Sequence, residues 1–215
     1  MFRELKRLVT GGRIGEIHAA NAYLGQDWIE IQRGAWRTDP ALSGGGRLYD
    51  SGSHLLDALL WTLDAEPGTV AAVTDDRGED VDVNSALAAT LEREAAAPVT
   101  ASVGVGDGTN GEPDEGLVVW GTEGHVRYEN GDLTLFEDGA TYEGSVEGDR
   151  DFMALTRRKL SDFVRAVGDG DEPSVPGSFG LQVTALTEAA YEAAETGQTV
   201  DVQARIEEAA KRRAP

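Results

Sequence analysis

Trp36-Arg37-Thr38-Asp39-Pro40 and, two residues on, Ser43-Gly44-Gly45-Gly46-Arg47-Leu48-Tyr49-Asp50-Ser51-Gly52-Ser53-His54 form the stretch on which the reading of this chain turns. Consecutive glycines let a backbone turn sharply and pass close to a neighbour or a ligand. Asp50 and His54 follow, four residues apart, where a helical pattern of leucines begins. On a helix that spacing places both side chains on one face. A carboxylate beside an imidazole next to a glycine turn suits proton transfer: Asp50 would orient and charge the ring, and His54 would move a proton on a substrate hydroxyl. The same residues also have a structural reading, in which Asp50 caps the helix and His54 is a hydrogen-bonded, partly buried side chain. A metal reading makes Asp50 and His54 two ligands, with His18 or His125 as a third. No His-Glu-x-x-His pair supports it, and only three histidines are present. Trp36 and Arg37 read either as a packed indole and a solvated guanidinium, or as an aromatic wall and a hydrogen-bond fork for a polyol or sugar.

Outward from this stretch, Leu55, Leu56, Leu59, Leu60 and Leu63 continue a helix from about Ser51, closed by Pro67-Gly68. Upstream, Phe2, Leu5, Leu8 and Val9 mark a helix that Gly11-Gly12 stops. It starts at Met1 without a cap, which suggests a longer parent chain. Ile17–Leu24 reads as a strand, and residues 27–47 as a long irregular loop of the kind that carries function. Downstream, Thr69–Thr74, Ser85–Leu91, Val99–Val105, Leu117–Trp120, His125–Tyr128, Leu133–Phe136 and Thr141–Val146 read as strands separated by Gly, Asp and Asn clusters. Short turns between neighbouring strands predict antiparallel pairing. Two helices follow, one marked by Phe152 to Val167 and one over Phe179–Glu195, then a short strand Thr199–Val202. The expected architecture is α+β: a mostly antiparallel open sheet with helices packed on one face. Residues 1–202 form one domain, and 203–215 a charged tail with some helical character. Alternating βαβ units are missing, so no Rossmann domain is expected in this chain. Gly106-Asp107-Gly108-Thr109-Asn110-Gly111 has the letters of a dinucleotide motif. No helix pattern follows it, and Asp107, Glu112 and Asp114 would repel a pyrophosphate, so it reads as a hairpin loop.

The totals bound the rest. The chain has 215 residues, 40% of them hydrophobic and 27% charged, as in a soluble globular protein. Cysteine is absent, which excludes disulfides, thiolate zinc sites and a cysteine nucleophile. No G-x-S-x-G elbow surrounds Ser51 or Ser53. No apolar run is long enough to span a membrane, and the N-terminus lacks a secretion signal, so the expected location is the cytoplasm. The formal net charge is −20, from 39 acidic and 19 basic residues, which disfavours nucleic-acid binding. An acidic surface with abundant Gly and Ala resembles proteins of high-salt cytoplasm.

The segment from Trp36 through the three glycines to Asp50, His54 and Asp57, with the leucine helix after it, resembles the C-terminal domain of the Gfo/Idh/MocA oxidoreductases. Gly12-Arg13-Ile14-Gly15-Glu16-Ile17, Gly121-Thr122-Glu123-Gly124 and the closing Thr199-Val200-Asp201-Val202 fit as well, so the resemblance spans almost the whole chain. It implies an NAD(P)-dependent dehydrogenase acting on a sugar, polyol or related hydroxy compound. His54 is implied as acid/base and Asp50 as its assistant; Trp36, Arg37, Gly45 and Gly46 are expected to be the substrate-binding residues. It also implies homo-oligomerisation through the sheet face. The family's catalytic lysine, in a Glu-Lys-Pro motif, and its glycine-rich cofactor fingerprint belong to a Rossmann domain, and neither motif occurs here. NAD or NADP is therefore expected only in a full-length enzyme, with no tight binding to this chain alone and no resident metal. The competing expectation is a stand-alone, non-enzymatic domain that binds a ligand or a partner chain through its sheet.

Overall fold

Leu5, Leu8 and Val9 share one face of α1 (Phe2–Thr10), and all three are buried. The computed structural model describes residues 2–108, 113–145 and 152–213. After α1 comes β1 (Ile17–Gln26), then two short helices, α2 (Trp28–Gln32) and α3 (Pro40–Ser43), with a 3-10 turn at Trp36–Thr38 between them. A π-helical turn over Leu48–Gly52 runs into α4 (Ser53–Leu63). The strands β2 (Glu66–Asp75), β3 (Asn84–Glu92), β4 (Val99–Asp107), β5 (Asp114–Gly121), β6 (Gly124–Glu129), β7 (Asp132–Glu137) and β8 (Ala140–Ser145) follow. Last come α5 (Phe152–Asp169), α6 (Gly177–Thr196), the two-residue β9 (Val200–Asp201) and α7 (Val202–Arg213).

Among the described residues the strands form one sheet in the order β8-β7-β6-β5-β1-β4-β3-β2-β9. Period-two alternation gives it a dry face. Leu87, Ala89 and Leu91 of β3, Ala101, Val103 and Val105 of β4, and Leu117 and Val119 of β5 are buried, while Ala86, Ala88, Thr100 and Ser102 between them are exposed. Helices α1, α4 and α6 cover the dry face. Leu56, Leu59, Leu60 and Leu63 of α4 are buried in it, each worth about 1.5–3 kcal/mol relative to exposure. The architecture is therefore α+β, mostly antiparallel, with helices on one face.

Four local expectations are corrected. β1 runs parallel to β4 and antiparallel to β5, inserting between two strands that are neighbours in sequence. β4 and β5 are thus not paired as a hairpin: Gly106 and Asp107 pair with Gly25 and Gln26 of β1, and residues 109–111 of the expected hairpin loop lie outside the described residues. Pro67-Gly68 does not close a helix but lies inside β2, where the register shifts between Pro67 and Val70; the helix ends instead at Asp64 in the left-handed conformation. Residues 27–47 are largely ordered into short helices. Asp39 caps α3 by accepting the Ala41 N–H, Pro40 occupies its first turn, and Gly44 ends it at φ 76°. The 203–215 segment keeps its expected helical character, as α7 up to Arg213. Val202 is buried, Ile206 packs against the core, and Gln203 Nε2 donates to the Pro67 carbonyl.

Candidate functional site

The glycine turn is held from two sides. Asp82, just before β3, accepts the backbone N–H groups of Gly46 at 2.7 Å and Leu48 at 2.9 Å with its carboxylate, and that of Arg47 with its carbonyl. The Tyr191 hydroxyl, on α6, donates to Asp82 at 2.6 Å and accepts the N–H groups of Gly46 and Tyr49. Burial and the neighbouring Asp82 carboxylate push the Tyr191 phenol far above its ordinary value. Remote side chains therefore satisfy the amides that a capping residue would take at the start of a helix. A side chain on Gly46 would collide with the Asp82 backbone, and one on Gly45 with the Tyr191 ring at 2.6–3.1 Å. Both glycines have this packing reason to lack a Cβ.

Arg47, next in sequence, is fully buried. Its guanidinium donates to the Gln26 carbonyl at 2.6 Å, to the Asp107 carboxylate at 3.2 Å and to the Leu24 carbonyl at 3.4 Å. Asp107 also accepts the N–H groups of Trp28 and Ile29, tying α2 to the end of β4. Burial pulls the Arg47 guanidinium down from its ordinary range, and Asp107 counters it.

Asp50 leaves the π turn half-buried, and its two oxygens have separate partners: Trp28 Nε1 donates to one at 2.8 Å and Arg37 Nε to the other at 3.1 Å. The Arg37 guanidinium lies 4.6 Å over the Trp36 ring, which is 54% exposed. Asp50 thus draws Trp28, Arg37 and, through Arg37, Trp36 into one assembly. His54 is exposed on α4 and lines a cavity of about 330 Å³ with Tyr49, Ser53, Asp57, Thr184 and Thr187. Among the described residues no hydrogen bond joins Asp50 to His54, so the expected contact of that pair is not made. Spacing put both on one face, but the carboxylate points to α2 and the Trp36 turn. Insertion of a π turn within a helix is common at functional sites.

No three His, Asp or Glu side chains gather as a metal set among the described residues. His125 stacks on Phe136 with centroids 4.1 Å apart, and His18 is exposed on β1. The described part of the glycine-rich letters, Gly106–Gly108, does not form a dinucleotide loop either. Asp107, within the glycine-rich letters, is spent on Arg47, and the next described element is strand β5 rather than a helix N-terminus.

Sequence reasoning missed Trp28, Asp82, Tyr191 and Asp107. Their partners are distant in sequence and no local spacing announces them. The Asp39-Pro40…Gly44 capping pattern would have revealed α3.

The family described as GFO/IDH/MocA C-terminal domain matches residues 2–127. D-xylose 1-dehydrogenase [NADP(+)] of Haloarcula marismortui is 30% identical over 211 residues, 92% of this chain and 56% of that protein. Aldose-aldose oxidoreductase of Caulobacter crescentus, solved with glycerol, superposes with a TM-score of 0.76 at 24% identity, covering 93% of this chain and 60% of that one. Levoglucosan dehydrogenase, solved with NADH and L-sorbose, superposes with a TM-score of 0.79 at 20% identity, covering 92% and 61%. The chain spans less than two thirds of the length of these relatives. From its fold and the match over most of its sheet, the chain belongs to the GFO/IDH/MocA oxidoreductase family, as a C-terminal domain.

Proposed function

We propose that this chain is the substrate-binding half of an NAD(P)-dependent dehydrogenase that oxidises a hydroxyl of a sugar or polyol. The observation that carries the reading is the Asp50 assembly. One carboxylate holds a buried indole and a guanidinium, and the guanidinium is stacked on an exposed tryptophan, one turn before His54. An exposed aromatic face beside a fixed hydrogen-bond fork suits the apolar faces and hydroxyls of a sugar. The D-xylose and levoglucosan specificities of the relatives support the same substrate class.

In this reading Trp36 and Arg37 hold the sugar, and Gly45 and Gly46 let the turn run close beneath it. His54 accepts the proton of the hydroxyl being oxidised. Asp50 serves catalysis by keeping Arg37 and Trp28 in place. The electron acceptor, NAD or NADP, is bound by a nucleotide-binding domain outside these 215 residues, and the chain alone neither binds it tightly nor turns over. The open sheet face, with Ala86, Ala88, Thr100 and Ser102 flanked by Trp120 and Phe136, is the surface for a second copy. The acidic surface suits work in a salt-rich cytoplasm.

The test is His54→Ala in the complete enzyme. A steep fall in kcat with sugar still bound is expected; near-normal turnover would sink the reading.

A further inference from the structure

Both Asp50 oxygens are engaged away from His54, one with Trp28 and one with Arg37, and among the described residues no hydrogen bond joins Asp50 to the ring. A second carboxylate lies on the same helix as the ring. Asp57 follows His54 at the i, i+3 spacing that sets two side chains side by side on a helix, and both line the cavity of about 330 Å³ between α4 and α6. Asp57 is half-buried, and among the described residues no hydrogen bond commits its carboxylate, to His54 or to any other group. A partly buried carboxylate without a donor is unfavourable, and an imidazole N–H is the donor at hand.

The charges around the cavity agree. Burial pushes the Asp57 carboxyl up from the ordinary carboxylate range, and the groups that pull it back are His54 on α4 and Lys159 on α5. From the π turn comes Tyr49, whose phenol is raised by burial and by Glu188 of α6. Thr184 and Thr187 of α6 and Ser53 complete the polar lining.

We propose that Asp57 is the positioning residue for His54. Its carboxylate takes one N–H of the imidazole, fixes the tautomer, and leaves the other ring nitrogen for the substrate proton. Asp50 and Asp57 then divide the work: one builds the substrate wall and the other sets the base. The assignment rests on the reading of His54 as the proton acceptor.

The experiment is carbethoxylation of the 215-residue chain by diethyl pyrocarbonate, which acylates only neutral imidazole, with each of the three histidines followed by peptide mass mapping. Asp57→Asn should speed modification of His54 about two- to threefold at about pH 6 and leave it unchanged at about pH 8, because removing a negative neighbour favours the neutral ring only where the ring can still be charged. Asp57→Glu should restore the slow reaction. Looser packing alone would speed the reaction at both pH values. Acceleration at both, no acceleration at either, or the same effect from Asp50→Asn overturns the assignment. The readout needs no turnover, so normal kcat after His54→Ala in the complete enzyme would remove the proton role while leaving the Asp57–His54 pair intact.

Discussion

The Tyr191 hydroxyl lies 2.6 Å from the Asp82 carboxylate, and the two residues together hold the backbone amides of Gly46, Leu48 and Tyr49. They join the start of β3 and the middle of α6 to the turn that carries the candidate site. Asp82→Ala strands two partly buried amides and the Tyr191 hydroxyl and should cost about 2–3 kcal/mol in denaturant unfolding. Tyr191→Phe keeps the ring and should cost about 1 kcal/mol. Asp82→Asn, which keeps one acceptor oxygen but turns an NH2 toward the other amide, should fall between wild type and alanine. Equal midpoints for all three variants would show that the amides find other partners.

The glycines at 45 and 46 should differ in tolerance. Gly46→Ala drives a methyl into the Asp82 backbone, which has nowhere to go, and should destabilise by about 2–3 kcal/mol or more. Gly45→Ala meets only the far end of the Tyr191 ring and should cost about half as much. Thermal melts of the two variants give the order directly, and a reversed order contradicts the packing described.

Asp107 is the sole carboxylate within ion-pair distance of the fully buried Arg47 among the described residues. Removing one partner leaves a buried charge uncompensated, so Asp107→Ala should cost about 3–5 kcal/mol. The double variant Arg47→Met/Asp107→Ala should recover much of that loss, since a buried ion pair is often replaceable by apolar volume. A double variant no better than the single one would mean that the carbonyl contacts of Arg47 matter more than its charge.

Tyr23 supplies a pH signature. Burial and its hydrogen bond to Glu129 push the phenol up to about 12. An unfolded tyrosine titrates near ~10, so the folded state holds this proton more tightly. The resulting stabilisation is full below ~10 and is lost as pH rises through about 12. Tyr23→Phe should therefore flatten the alkaline fall of stability over that window. An unchanged alkaline limb would place the proton's grip elsewhere.

Period-two alternation made Ser85–Leu91 and Val99–Val105 legible as strands, because one face of each is dry and the other wet. Leucine spacing made the helix after Gly52 legible for a similar reason. The parallel pairing of β1 with β4 was not legible, since register between strands so far apart along the chain leaves no local trace. The site divides the same way. Asp50 and His54 were visible from spacing, but the side chains that claim Asp50 come from Trp28 and Arg37, upstream in two separate turns. Asp107 was hidden within a look-alike motif whose letters suggested a cofactor loop. Its real work, pairing with Arg47, depends on the sheet order that brings the end of β4 beside the end of β1.

That sheet order bears on how the molecule is made. β1 leaves the ribosome long before either strand that flanks it, and its second edge stays bare until Asp114–Gly121 has emerged. A nascent chain that must keep a central, largely apolar strand waiting is exposed to wrong pairing in the interval. The β5–β8 meander can close on itself from local contacts, but the stretch bearing Asp50 and His54 acquires its final setting only when β1, β4 and α6 have met. The setting of the site thus depends on contacts between elements far apart in the chain, which local structure alone cannot supply.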